Sequence, residues 1–210
     1  MNVSKVGTGI YHLLEWLMVL AWLNILWLSF TLLGLIIFGW APATLSLLSI
    51  LKEICQTKDL SLPKVKQFYH HYRQNFIVAN GVGFILILGT IVLSYGLITL
   101  PFLPDTSFYF MFVFYLVMTS LFILIVIFIW PTLISCQTTF INYFKYALLI
   151  GLSNLHYGLL FVISLLVIHF LFSPFPGLVL FFSISLPCLI LMHITIKVVC
   201  KIEDKASVIQ

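Results

Sequence analysis

The sequence contains few charged residues. Asp, Glu, Lys and Arg make up 8% of its 210 residues, and 62% of the residues are hydrophobic, whereas about 25% of a soluble domain is charged. The charges leave four stretches without any Asp, Glu, Lys or Arg, which are residues 16–51, 74–104, 106–144 and 146–196. This shortage of charge excludes an ordinary water-soluble globular domain.

Each uncharged stretch is long enough to cross a membrane. A bilayer core about 30 Å thick needs roughly 20 apolar residues in a helix, and a helix satisfies its backbone hydrogen bonds within its own segment. Barrel strands would alternate polar and apolar residues, which these stretches do not do. We therefore predict one domain over 1–210, an all-α polytopic membrane helix bundle with five spans and a short sixth hydrophobic helix over 39–52. The later spans are predicted over 76–98, 108–130, 148–172 and 178–199.

Signatures of catalysis and of metal binding are also missing. The four cysteines, Cys55, Cys136, Cys188 and Cys200, form no C-x-x-C pair that would indicate zinc or redox chemistry. The sequence has no H-E-x-x-H motif and no phosphate-binding G-x-x-x-x-G-K-[ST] loop. We therefore expect neither an enzyme nor a metal or other cofactor.

Basic residues concentrate in one polar connection, over 52–75, and at the C-terminal end. Because basic loops stay in the cytoplasm, we expect the connection and the C-terminus to be cytoplasmic. The net charge is +4, and most basic residues lie beside the membrane, so nucleic-acid binding is not expected.

The first apolar stretch leaves the side of the N-terminus open. Gly34, Gly39 and Pro42 interrupt it, and Pro42 suits the first turn of a second helix. Two crossings place Lys5 in the cytoplasm, whereas a single crossing places it outside. We favour two crossings, although 16–51 is slightly short for two full spans and a turn.

Polar side chains within the apolar stretches indicate the interior of the bundle. Unpaired amide and hydroxyl groups are costly in lipid, so they face neighbouring helices. The residues of this candidate interior polar site are Asn24, Thr44, Asn80 and Asn154. Glu15, with His12 three residues before it, is a candidate for ion coupling, but a solvated carboxylate near a helix N-terminus is the simpler interpretation.

The polar connection contains an amphipathic pattern. Its apolar residues recur every three or four positions, while Lys64, Lys66 and Arg73 lie off that stripe. The stripe consists of Leu62, Val65, Phe68 or Tyr69, Tyr72 and Phe76. The pattern predicts a helix in the headgroup layer whose basic residues reach anionic lipid, and the same surface could dock a cytoplasmic partner.

Three motifs resemble the bacterial YesL family. They are an N-L-L-W-like segment at 23–28, a G-P-A-T-like segment at 39–45, and Phe68 followed by R-Q-N-F at 73–76. The resemblance covers residues 20–80 best. This chain differs in having Trp40 between the glycine and the alanine and in lacking the usual L-P-V-V-T lead-in. The resemblance implies a bacterial integral membrane protein without an assigned activity, often associated with carbohydrate uptake systems.

Two functions follow as expectations. The first is an accessory or assembly component associated with a membrane carbohydrate uptake system, with transporter subunits and the lipid bilayer as partners. The alternative is a small homo-oligomeric transporter or channel for an uncharged solute, lined by the polar residues of the interior. In both cases we expect a multi-pass protein of the bacterial inner membrane.

Overall fold

The computed structural model describes residues 3–102, 104–136 and 138–208, and within them nine α-helices and one turn of 3-10 helix, Leu100–Phe102, make up the secondary structure. The helices are α1 (Val3–Leu33), α2 (Trp40–Thr57), α3 (Val65–Gln74), α4 (Phe76–Thr99), α5 (Asp105–Ser135), α6 (Phe140–Ser153), α7 (Leu155–Phe172), α8 (Pro176–Phe182) and α9 (Ser185–Val208). The predicted all-α class is confirmed.

Four helical segments are long and apolar enough to cross a membrane. They are Ile10–Leu33, Phe76–Phe102, Ser107–Ser135 and Leu155–Phe172. Ser185–Ile196 is apolar but shorter. Four such segments in one chain are the architecture of a multi-pass membrane protein, as the sequence predicts. Five spans were expected, and the fifth corresponds to the shorter apolar helix Ser185–Ile196.

Two predicted spans are interrupted in the structure. The span expected over 148–172 consists of the end of α6 and all of α7, which are separated at Asn154. The span expected over 178–199 consists of most of α8 and residues 185–199 of α9, which are separated at residues 183–184. Pro187 explains the second interruption, since it has no N–H to bond the Ser183 carbonyl and suits the first turn of a new helix.

The contacts divide the chain into two compact units. The first contains Met1–Phe76 and Leu159–Gln210, and the second contains Ile77–Gly158. The first unit therefore holds α1, α2, α3, α8, α9 and most of α7, and the second holds α5, α6 and nearly all of α4. The expectation of a single domain over 1–210 stays a prediction.

A tight turn joins α1 to α2 in the first unit. The backbone N–H of every residue from 34 to 40 donates a hydrogen bond to a carbonyl within the turn or the end of α1. Leu35 and Ile36 have φ angles of 55° and 66°, which are unfavourable for residues with a Cβ. A Cβ on Gly39 would overlap the Thr31 carbonyl oxygen, and one on Gly34 would lie 2.6 Å from the Tyr72 hydroxyl oxygen. The turn therefore lies against α3.

In the second unit, glycines let aromatic rings approach neighbouring helices closely. A Cβ on Gly96 of α4 would overlap the ring of Tyr115 in α5, and a Cβ on Gly151 of α6 would lie 3.2 Å from Phe128. These small residues let neighbouring helices approach closely. Close approach stabilises membrane bundles because van der Waals packing, and not the hydrophobic effect, drives helix association in lipid.

Candidate functional site

Asn24 joins α1 to the interruption between α8 and α9. Its side-chain Nδ2 donates a hydrogen bond to the carbonyl oxygen of Leu180 at 2.7 Å, and its Oδ1 accepts hydrogen bonds from the backbone N–H groups of Ile184 and Ser185 at 3.2 Å each. Asn24 is 2% exposed. One side chain therefore satisfies backbone groups that the interrupted helix leaves without partners inside the helix.

Thr44 pairs α2 with α1. Its hydroxyl accepts a hydrogen bond from the indole Nε1–H of Trp27 at 3.0 Å and donates to the carbonyl oxygen of Trp40 at 2.7 Å. Both atoms of the Trp27–Thr44 contact belong to the first unit, as Asn24 does. Asn24 and Thr44 bind different partners, so both act here in helix packing.

Asn80 and Asn154 are buried in the second unit, at 9% and 6% exposure. Asn154 ends α6, and its side-chain Nδ2 donates to the carbonyl oxygen of Ile150 at 3.1 Å. Their burial is compatible with the expected position in the interior of the helix bundle. That all four polar residues line one site stays a prediction.

The amphipathic helix is shorter than predicted and is docked on protein. Helix α3 covers Val65–Gln74, and its Phe68 and Tyr72 rings lie 4.9 Å and 5.3 Å from the ring of Phe30 in α1. Phe68 is 0% exposed, and burial raises the pKa of Tyr72. The predicted stripe is therefore not a single lipid-facing surface, because its central aromatic residues, Phe68 and Tyr72, contact α1 and are not available to lipid.

Glu53, an acidic residue outside the predicted candidate sites, contacts one face of α3 and fixes its orientation. The carboxylate of Glu53, in α2, accepts a hydrogen bond from Gln67 Nε2 at 2.6 Å and lies 3.1 Å from His71 Nε2. Gln67 and His71 are four residues apart and so share one face of α3. Two features of the sequence could have predicted this contact. Gln67 and His71 are spaced to share one helix face, and Glu53 is the only acidic residue in the sequence of α2.

The three basic candidates do not form one group. Lys66 and Arg73 line an open cleft of about 480 Å³ along α3. Lys64 lines a different cleft, of about 340 Å³, together with Glu53 and Asp59. Lys64 therefore shares a cleft with acidic residues, whereas Lys66 and Arg73 share a surface with Tyr69, His70 and Gln74.

The first turns of α1 contain the expected His12 and Glu15 pair. His12 Nδ1 lies 3.7 Å from Glu15 Oε2, and the two side chains are 63% and 57% exposed. Both residues lie within the apolar segment Ile10–Leu33, and their exposure means that neither side chain is enclosed by the other described helices. Ion coupling through Glu15 stays a prediction.

A second cleft lies beside the interrupted helix of the first unit. It has a volume of about 320 Å³, its walls are mainly apolar, and His169, Ser173, Ser183 and Pro187 contribute to its lining. Among the residues that the structure describes, no group of three or more His, Cys, Asp or Glu side chains could hold a metal ion. The polar groups available in this cleft are hydroxyls and one imidazole, which suit an uncharged ligand.

Comparison with known proteins gives the family. The model of the family described as "Protein of unknown function, DUF624" matches residues 20–97. The uncharacterized protein YteU of Bacillus subtilis (strain 168) is 32% identical over 192 residues, which cover 90% of this chain and 85% of YteU. The uncharacterized protein YesV of the same organism is 28% identical over 196 residues, covering 92% of this chain and 93% of YesV.

The match to YesL itself is partial. The uncharacterized protein YesL of Bacillus subtilis (strain 168) is 29% identical over 91 residues, which are 43% of each chain. No solved structure is significantly similar to this chain. The YteU match extends along nearly the whole chain, and the family model includes the three motifs noted in the sequence. The chain therefore belongs to the YesL-like DUF624 family of membrane proteins.

Proposed function

We propose that the chain is an accessory or assembly component of a larger membrane complex, with a carbohydrate uptake system as its candidate setting. The observation that carries this proposal is the uncovered surface of α5. Only 17% of the most apolar stretch of Ser107–Ser135 is buried within the chain. Six consecutive residues, 109–114, are each at least 37% exposed, so every face of this part of the helix is open to lipid or to another subunit.

Exposure around the whole circumference of a helix is unusual within a self-contained bundle. Residues 109–114 extend over more than one full turn of helix, and four of them are aromatic: Tyr109, Phe110, Phe112 and Phe114. A helix inside a self-contained bundle buries at least one face. Large aromatic side chains are favoured at subunit contacts, where they bury much surface at low entropic cost. Partner helices are therefore a suitable cover for this segment.

Site-directed photo-cross-linking tests the proposal in native membranes. A photoreactive residue at Phe110 is expected to capture a membrane subunit of an uptake system in fixed proportion to the chain. The matched control places the same residue at Leu23, which is 0% exposed and should capture no partner. Recovery of only lipid or only second copies of the chain at position 110 would rule out the accessory role.

A second candidate function, a small oligomeric transporter or channel for an uncharged solute, has its own support. Interrupted membrane helices commonly form substrate sites in transporters, and the interruption between α8 and α9 borders the mainly apolar cleft with Ser173 and Ser183. Vesicles containing the purified chain should then admit a neutral polyol such as glycerol faster than empty vesicles. Equal rates would exclude this function for glycerol-sized solutes.

Both proposals set the chain in the bacterial inner membrane. The family resemblance and the multi-pass architecture support this location. Separation of inner and outer membranes on a density gradient tests it, and recovery with the outer-membrane fraction would contradict it.

A further inference from the structure

Two faces of helix α3 are occupied by the rest of the first unit. Successive residues of an α-helix are rotated by about 100°, so Phe68 and Tyr72 share one face and Gln67 and His71 share another. The first face packs on α1 through Phe30. The second face bonds to Glu53 of α2. These contacts hold α3 in one rotational setting.

The two remaining faces are exposed and chemically different. Val65 and Tyr69 form an apolar row, with 50% and 49% of their surface exposed. The Tyr69 ring also lies 6.3 Å from the ring of Phe30, so this row borders the face that packs on α1. Lys66, His70 and Arg73 follow one another at spacings of four and three residues, which places them in an adjacent row on one side of the helix. All three basic residues are exposed. The free surface of α3 is thus an apolar row beside a basic row.

We propose that this free surface binds the phosphate of an anionic phospholipid headgroup. Lys66, His70 and Arg73 contact the phosphate, and Val65 and Tyr69 rest on the first carbons of the acyl chains. Arginine binds phosphate through paired N–H groups, and basic rows beside a membrane attract anionic lipid. The inference does not depend on whether the chain assembles with an uptake system.

Two observations favour a lipid over an acidic protein as the occupant. Arg73 is three residues before Phe76, where the apolar segment Phe76–Phe102 begins, so it lies within about 10 Å of the start of that segment. A freely soluble anion has no apolar part that could contact the apolar row. A phospholipid contacts both rows, because its charged headgroup lies next to its acyl chains. The cleft of about 480 Å³ between these residues leaves room for a headgroup.

Lipid titration of the purified full-length chain tests the proposal. The probe is dioctanoyl phosphatidylglycerol added to protein in a neutral detergent, with the bound fraction measured by native mass spectrometry. Each basic residue near an anionic surface changes binding about fivefold. The double variant Lys66→Gln, Arg73→Gln should therefore raise the apparent Kd about 25-fold, while binding of dioctanoyl phosphatidylcholine should not change.

The chain offers a control with the same change in charge. The double variant Lys58→Gln, Lys64→Gln also removes two positive charges from the polar connection, but Lys64 lies in the cleft with Glu53 and Asp59. This control should bind phosphatidylglycerol within about twofold of the unchanged chain if individual contacts and not total charge set the affinity. Helix content by circular dichroism should be equal in both variants, because all four side chains are exposed.

Each outcome decides the assignment. Equal loss of affinity in both double variants would overturn it, because total charge would then explain the binding. Displacement of the lipid by inorganic phosphate at the same concentration would also overturn it in favour of a soluble anion. Unchanged lipid binding in Lys66→Gln, Arg73→Gln, together with loss of a cross-linked cytoplasmic protein, would assign the surface to an acidic protein. If the double variant misfolds, Arg73→Lys, which keeps the charge and loses the paired donors, should still weaken lipid binding measurably.

Discussion

The side-chain amide of Asn24 donates a hydrogen bond to the carbonyl oxygen of Leu180, 156 residues later in the chain, at 2.7 Å. The same amide accepts hydrogen bonds from the other side of the helix interruption, at Ile184 and Ser185. Asn24 belongs to the first motif shared with the YesL family. The structure thus gives this motif residue a physical task, which is to hold an interrupted helix against α1.

Replacement of Asn24 by leucine should lower stability. The change removes the side-chain partner of the Leu180 carbonyl oxygen and of the buried Ser185 N–H, at a cost of about 1 to 3 kcal/mol. Thermal unfolding in detergent measures the effect. Ser29→Ala is the control on the same helix, because the Ser29 hydroxyl donates its hydrogen bond to the carbonyl oxygen of Ile25 within α1. If Asn24→Leu were as stable as the control but lost solute flux, the transporter function would be favoured.

Phe68→Ala should release α3 from α1. Removing a fully buried phenylalanine costs about 3 to 5 kcal/mol, enough to populate an undocked helix. Tryptic cleavage after Lys66 and Arg73 should then become much faster in permeabilised membranes, where trypsin reaches the cytoplasmic side. Val65→Ala, at a half-exposed position of the same helix, should leave the cleavage rate nearly unchanged, and equal cleavage of the two variants would show that the aromatic contact does not dock the helix.

Glu53→Gln should have a smaller effect than Phe68→Ala. The Glu53 and His71 side chains are 45% and 18% exposed, and partly exposed polar contacts of this kind contribute about 0 to 1 kcal/mol. The same cleavage assay, run in parallel, ranks the two contacts. Faster cleavage of Glu53→Gln than of Phe68→Ala would mean that charge, and not aromatic packing, holds α3.

Gly96→Ala should destabilise the contact between α4 and α5. Alanine gains about 1 kcal/mol of helix propensity over glycine, but its Cβ would overlap the Tyr115 ring, and overpacking of this kind costs about 1 to 3 kcal/mol. We expect a lower Tm for this variant. Gly177→Ala is the control, since a Cβ there has no neighbour within 4 Å, and an equal Tm for both variants would contradict the close approach.

Cys55 should react slowly with alkylating reagents in the folded chain. Burial raises the pKa of its thiol above the ordinary value, so at pH 8 a smaller fraction is thiolate, the reactive form. The rate should therefore rise with pH, and more steeply near pH 9 than for the same cysteine in the unfolded chain. Iodoacetamide labelling followed by peptide mass spectrometry measures both rates. Equal rates in the two states at pH 8 would show that the site is not desolvated.

The N-terminus should lie on the side of the membrane opposite the polar connection. Ile10–Leu33 is 24 residues long, a length that crosses a bilayer once, and its C-terminal end lies beside Tyr72 of α3. This packing favours the single crossing over the two crossings that the sequence suggests. A cysteine introduced at Lys5 should react with an impermeant maleimide in intact cells, whereas one at Lys58 should react only after permeabilisation. The reverse pattern for position 5 would restore two crossings.

Local chemistry allowed the helical class and the membrane setting to be predicted. Long uncharged stretches permit only helices in lipid, whatever the rest of the chain does, and Pro42 marks the start of α2 because proline fits a first helical turn. The amphipathic period of α3 was visible for the same reason. Such features depend on residues close together in the chain.

The pairing of the interrupted helix with α1 and the docking of α3 could not be predicted in this way. Asn24 is read from the sequence only as a buried polar residue, because its partners at Leu180 and Ser185 lie more than 150 residues away. Likewise, the sequence shows that α3 has an apolar side but not that Phe30 of α1 packs against its Phe68 and Tyr72 rings. The sequence by itself determined that the chain is helical, that it lies in a membrane, and that its basic residues concentrate in the polar connection. These properties follow from hydration and local hydrogen bonding. Only the tertiary structure decided which polar and aromatic groups are already paired, and hence which surface of α3 remains free to bind.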